Sequence, residues 1–153
     1  MKTNHFTLYL CYETQKDNDM IDMMNEEVVK AIIENMPLEI SVIDANDEVI
    51  GWNKNNERLF KRPLTSMGLN FRNCHPKESL DKVERIVSEM KAGTRKKASF
   101  WIDLNVKAGE KPHKILIEFF ALRNPEGKYL GCLECVQDVE DIMHLEGQKR
   151  IID

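Results

Sequence analysis

The sequence predicts an α+β fold: one five-stranded antiparallel sheet with helices over one face, preceded by a helical N-terminal extension. Three observations carry this. Residues 113–137 alternate with period two on either side of Asn124-Pro125-Glu126-Gly127, which makes a long hairpin. Over Asp19–Asn35 and Lys77–Ala92 the apolar period changes to three and four, which makes two amphipathic helices. Two short strands precede the helical middle and three long ones follow it, and only the helical middle can cover their apolar faces.

Taken in order, residues 5–12 have strand composition, and an edge strand or a poorly ordered lead-in both fit. Asp19–Asn35 carries Met20, Ile21, Met24, Val28, Ala31 and Ile32 on one face, and Pro37 closes the helix. This Met-rich stripe suits packing on its own domain or a dimer contact equally. Leu38–Asp44 and Glu48–Trp52 are strands around Ala45-Asn46-Asp47, and Asn53 stands as N-cap to a short helix, Lys54–Phe60. Pro63–Pro76 is irregular. Lys77–Ala92 buries Leu80, Val83, Ile86, Val87 and Met90 and stops at Gly93. Lys97–Val106 alternates, with Ala98, Phe100, Ile102, Leu104 and Val106 on one face.

In the hairpin, Pro second and Gly fourth are type I turn chemistry. A four-residue loop sets Arg123 against Lys128, Phe119 against Cys132, Ile117 against Glu134 and Ile115 against Val136. One face is then apolar except for Glu134. A carboxylate there must be paired, protonated or linked to a ligand. It is either a polar handle in a pocket or a structural group bonded to a helix N-terminus or Asn53, and a bulge at Gly131 would turn it outward.

The chain has 153 residues, 42% hydrophobic and 31% charged, which fits one soluble globular domain with an extension. Residues 1–25 read as the extension, 26–147 as the domain and 148–153 as a tail. A net charge of −4 gives no basic face for nucleic acid. No apolar run spans a bilayer, the N-terminus lacks a signal peptide's apolar core, and four cysteines read as free thiols in a reducing cytoplasm.

Ile43-Asp44-Ala45-Asn46, Val49-Ile50-Gly51-Trp52-Asn53-Lys54, Glu57-Arg58-Leu59-Phe60, Gly68, His75-Pro76, Arg123–Lys128, Gly131 and Asp138-Val139-Glu140 together resemble a PAS domain over Glu26–Gly147. Asp138-Val139-Glu140 stands where that family often carries Asp-Ile-Thr, so the Thr is replaced. The runs Phe100-Trp101-Ile102 and Gly131–Asp138 look closest to a prokaryotic PAS subgroup that accompanies hemerythrin-like helical domains. The resemblance implies a non-enzymatic sensor with a pocket between sheet and helices. Its lining is expected from Phe100, Ile102, Leu104, Ile115, Ile117, Phe119 and Val136, with Glu134 as the polar element. The expected partners are a second copy of the chain, a small ligand and an output protein in trans.

The residues raise further candidate chemistries. His75 is the residue that would ligate heme, the alternative cofactor. A flavin photosensor is rejected because Leu104, Ile115 and Val136 stand where that family places two Asn and a Gln. Cys132 and Cys135 have metal-knuckle spacing but lie on a strand, where residues three apart face opposite ways, so no metal site is expected. Replacing both by serine is expected to leave fold and metal content unchanged. A thiol-redox or metal-dependent enzyme and a ligand-free dimerisation module are the remaining readings. His5, His113 and His144 read as solvated.

Overall fold

The computed structural model describes residues 21, 23–54 and 58–151. The expected strand at 5–12 lies outside them. Residues up to Asn35 form one compact unit and residues from Met36 a second. In the first, helix α1 (Glu26–Asn35) is shorter than the pattern over Asp19–Asn35 predicts. Asn25 Oδ1 accepts from the Val28 amide at 2.8 Å, so it caps the helix and starts it there. Met24 therefore precedes the helix, and Met20 lies outside the described residues.

The second unit runs β1 (Glu39–Asp44), β2 (Val49–Trp52), two single turns at Leu64–Ser66 and Phe71–Asn73, α2 (Lys77–Lys91), β3 (Lys97–Leu104), β4 (His113–Arg123), β5 (Tyr129–Asp138) and a short helix α3 (Glu140–Met143). The five strands form one antiparallel sheet in the order β2-β1-β5-β4-β3. Val83, Val87 and Met90 of α2 pack with Phe71 against Ala98, Ile115, Ile117, Phe119, Cys132 and Val136, all on one sheet face. That is the face the alternation marks as apolar.

Two local expectations fail. Arg58–Phe60 is not helical, and Asn55–Glu57 lie outside the described residues. Asn53 is 1% exposed, and its side chain accepts from the Ile40 amide and donates to the Leu38 carbonyl, tying the loop after β2 to β1. The hairpin register also differs. Phe119 faces Glu134, Ile117 faces Val136, Ile115 faces Asp138 and Arg123 faces Tyr129. Lys128 belongs to the loop, where its carbonyl accepts from the Asn124 amide at 3.1 Å, and the register shifts again between Leu122 and Arg123, leaving Leu130 as a bulge. Each adds one residue on the β5 side. The net slip of two preserves which face each side chain takes.

Candidate functional site

Because β1, β5 and β4 are neighbours, their registers align Ser41, Glu134 and Phe119 in one row across the core face. The next row is Glu39, Val136, Ile117 and Phe100. Polar side chains of β1 thus meet the carboxylate of β5 at the edge of an aromatic surface. The bulge beside Gly131 does not turn Glu134 outward.

The partner of Glu134 is Arg62. Arg62 Nη2 donates to Glu134 Oε2 at 2.8 Å, and the two side chains are only 18% and 14% exposed. Neither a helix N-terminus nor Asn53 supplies the bond. Arg62 comes from the irregular segment that crosses this face, where Pro63 follows it and opens the turn at Leu64–Ser66.

Beside this pair lies a second one, more deeply set. The Arg58 side chain is wholly buried and donates to the carbonyls of Phe60, Ile40 and Asn53 and to Ser41 Oγ, all within 2.8–3.1 Å. Its Nη2 lies 3.5 Å from Glu39 Oε2, and Glu39 in turn accepts from the Leu59 amide. Burial pulls the Arg58 guanidinium below its usual pKa, and the Glu39 charge opposes that shift. The knot fixes the route of the chain into Phe60 and Arg62.

Between sheet and helical segment is a cavity of about 280 Å³ lined by Phe60, Arg62, Cys74, His75, Pro76, Ser79, Val83, Phe100, Ile102, Ile117, Phe119 and Glu134. A smaller space of about 40 Å³ adjoins it, also walled by Arg62, His75 and Glu134 and reaching Ser41 and Cys132. The Phe100 and Phe119 rings stack with centroids 5.8 Å apart. His75 Nδ1 donates to the Phe71 carbonyl at 2.9 Å, so in the neutral ring Nε2 is the acceptor.

Of the eight residues expected to line a pocket, Phe100, Ile102, Ile117, Phe119 and Glu134 come together around this cavity. Leu104, Ile115 and Val136 do not. Ile115 and Val136 are closed in the core, and Leu104 packs against it. The alternation places all eight on one face, but α2 covers one part of that face tightly and leaves another open. Arg62, Phe60, Ser79 and Val83 are lining residues the strand pattern does not indicate. The lone carboxylate was a signal for a cation, with Arg58, Lys61 and Arg62 as nearby choices.

Cys132 lies in the core with Sγ 3.6 Å from Met90 Sδ, and burial pushes its thiol up to about 12. Cys135 pairs with Glu118 on the other face. The strand therefore keeps the two sulfurs apart, and among the described residues no three His, Cys, Asp or Glu side chains converge as metal ligands. The serine expectation needs amending for one of them. Cys132→Ser buries a hydroxyl in an apolar site and should cost about 1–3 kcal/mol in denaturant unfolding. Cys135→Ser should stay within about 0.5 kcal/mol, with metal content unchanged in both by elemental analysis.

His113 and His144 are paired rather than merely solvated. His113 Nδ1 meets Asp138 Oδ2 at 2.6 Å, and His144 Nε2 lies 3.1 Å from Glu140 Oε1. Asp138 Oδ1 also accepts from the Glu140 amide, and Glu140 Oε2 from the Lys114 amide. The Asp138 bond raises the His113 pKa. These bonds lash the end of β5 and the start of α3 to the first residues of β4.

The fold of this sheet and its helical segment is matched by comparison with known proteins. A family model described as PAS domain matches residues 29–140. The chain belongs to the PAS domain family. Among solved structures, the C-terminal domain of a Streptococcus mutans protein is 28% identical with TM-score 0.70, covering 80% of this chain and 91% of that one. A PAS domain from Colwellia psychrerythraea, 17% identical, has TM-score 0.55 and coverage of 75% and 97%. The PAS domain of Bordetella pertussis BvgS, 14% identical, has TM-score 0.54 and coverage of 73% and 84%. No curated protein matches. PAS domains are typically sensor and signalling modules, and this one has no described helix long and apolar enough to cross a membrane.

Proposed function

We propose that this PAS domain is a non-enzymatic sensor that holds a small, largely apolar ligand in the cavity beneath Phe119 and passes its state on through a dimer or a partner protein. The observation that carries this is the Arg62–Glu134 pair, a nearly buried ion pair in the wall of a largely apolar space whose other polar side chains are Cys74, His75 and Ser79. A purely structural core gains little from an ion pair facing a void. The cavity, about 280 Å³, falls just under the ~300–1,000 Å³ of drug-sized pockets, which favours a small ring over heme. The free thiols Cys74, Cys132 and Cys135 fit a reducing cytoplasm. The kinship with prokaryotic PAS domains that accompany hemerythrin-like domains rests on Phe100-Trp101-Ile102 and Gly131–Asp138.

Native mass spectrometry and an absorption spectrum of freshly purified protein test the reading. Added mass without a Soret band is expected, and Glu134→Gln should change ligand affinity or stability by more than about 1 kcal/mol. A Soret band lost in His75→Ala would assign heme instead. No added mass, together with an inert Glu134→Gln, would leave a ligand-free dimerisation module.

Dimerisation is proposed through the outer sheet face. Trp101 is 66% exposed there, beside half-buried Leu116, Phe120, Leu122 and Leu133. A shallow groove of about 240 Å³ runs between Trp101, Lys114 and Leu116 and the Val139 and Met143 side chains. A monomer seldom leaves so much contiguous apolar surface wet, and two-fold pairing is the commonest cover. Light scattering should give a dimer at micromolar concentration and a monomer for Phe120→Glu. A monomeric wild type, or a dimer unaltered by the mutation, refutes this interface.

A further inference from the structure

The polar corner of the cavity is electrically balanced before any ligand arrives. Arg62 and Glu134 neutralise each other at 2.8 Å, and Arg58 behind them is matched with Glu39. A carboxylate ligand would have to draw Arg62 away and leave Glu134 unpaired over Phe119. A cationic ligand would strand Arg62 in the same way. Either exchange forfeits much of what the new ion pair returns, because half of a nearly buried pair is left without its counter-charge.

Hydrogen-bonding capacity is what remains unspent. Among the described residues, Glu134 is engaged through Oε2, and Oε1 takes no bond. Arg62 uses one of its nitrogens on that carboxylate, and His75 Nε2 is an acceptor because Nδ1 serves the Phe71 carbonyl. The corner thus offers donors and acceptors side by side with no net charge. The sheet wall beside this corner is apolar: the Phe100 and Phe119 rings stack with their planes 20° apart, and Ile102 and Ile117 lie next to them. The cavity of about 280 Å³ lies just under the ~300–1,000 Å³ of drug-sized pockets and so suits a ligand built on one ring.

We infer that the ligand is an uncharged aromatic ring with an amide or lactam edge, its C=O accepting from Arg62 and its adjacent N–H donating to Glu134 or His75. This rests on the cavity being a ligand site, and it adds the ligand's charge and edge chemistry. Such a ligand leaves the ion pair intact and fills the donor and acceptor positions together. It also places its ring against Phe119.

Four probes of similar size and shape separate the alternatives: benzamide, benzoate, benzamidinium and toluene. Each is titrated into the full chain while the amide resonances of His75, Phe119 and Glu134 are followed. Benzamide should bind at least about tenfold more tightly than the other three, and all shifts should centre on those residues. Removing one charge should reverse the order. Glu134→Gln frees Arg62 and should make benzoate the best probe, while Arg62→Met frees Glu134 and should favour benzamidinium, each by about tenfold. If benzoate, benzamidinium or toluene equals benzamide in the wild type, the cavity is a ligand site but the inferred class is wrong. If no probe moves those resonances at millimolar concentration, the ligand reading itself falls, and this inference with it.

Discussion

Gly131→Ala should lower the stability of the domain by more than about 3 kcal/mol, read as a large drop in its unfolding midpoint. Gly131 sits on β5 opposite Asp44 of β1, with φ of +156°, a conformation that L side chains rarely adopt. A Cβ there would lie 2.1 Å from the Ile43 carbonyl oxygen and 3.1 Å from Asp44 Cα, both backbone atoms of the paired strand. No rotamer change relieves that contact, so β1 must separate from β5 or the bulge at Leu130 must be lost. Backbone strain and overpacking each cost about 1–3 kcal/mol, and together should exceed about 3 kcal/mol. That is a large share of the ~5–15 kcal/mol that holds a domain together. Gly51→Ala is the internal control, since a Cβ at Gly51 meets nothing within 4 Å. Its unfolding midpoint should move by no more than about 0.5 kcal/mol equivalent. Equal effects at the two glycines would contradict the close approach at Gly131.

Arg58→Met is expected to destabilise the domain by about 3–5 kcal/mol, the usual result of removing one partner from a buried ion pair. The lost guanidinium serves three carbonyls and Ser41 Oγ as well as the Glu39 carboxylate. Methionine fills the volume but donates nothing. Arg58→Lys should recover only a fraction, because an ammonium cannot reach acceptors spread over β1 and the Asn53–Phe60 loop at once. Denaturant unfolding measures both. A loss under about 1 kcal/mol in Arg58→Met would mean that water replaces the side chain and that the knot is not dry. Because Phe60 and Arg62 follow directly on this anchor, Arg58→Lys protein that stays folded should also bind the proposed benzamide probe more weakly than the wild type does.

The sheet was legible in the sequence wherever period two ran long enough to mark a face. That held for His113–Arg123, for Lys97–Leu104 and for Glu134 as a carboxylate on the wrong side. Register was less legible. Whether Lys128 closes the loop or opens the strand depends on one backbone bond to Asn124, and alternation is blind to a slip of two. The partner of Glu134 was hidden for a different reason. Arg62 lies in an irregular stretch without period, and three cations within five positions are equally plausible from composition. Depth along the strands was also hidden. Ile115 and Ile117 share a face and a residue type, yet only Ile117 borders the cavity. The tilt and position of α2 make that distinction, and no strand pattern encodes them.

The strand order has a consequence for how the molecule comes into being. β5 is the last of the described strands in sequence, yet it lies at the centre of the sheet, between β1 and β4. During synthesis the β1–β2 hairpin emerges before the other strands of the sheet, then waits through the helical segment and the β3–β4 hairpin for its neighbour. Until Tyr129–Asp138 is out, β1 and β4 lack the strand that joins them, and each leaves an edge open to another chain. The closing event pairs residues far apart in sequence and is therefore the slow one. Since Glu134 rides on that strand, the polar corner of the cavity is completed in the same final step. A ligand of the proposed kind would thus find its site only in the finished sheet, and it could favour that state but not hasten the pairings that come before it.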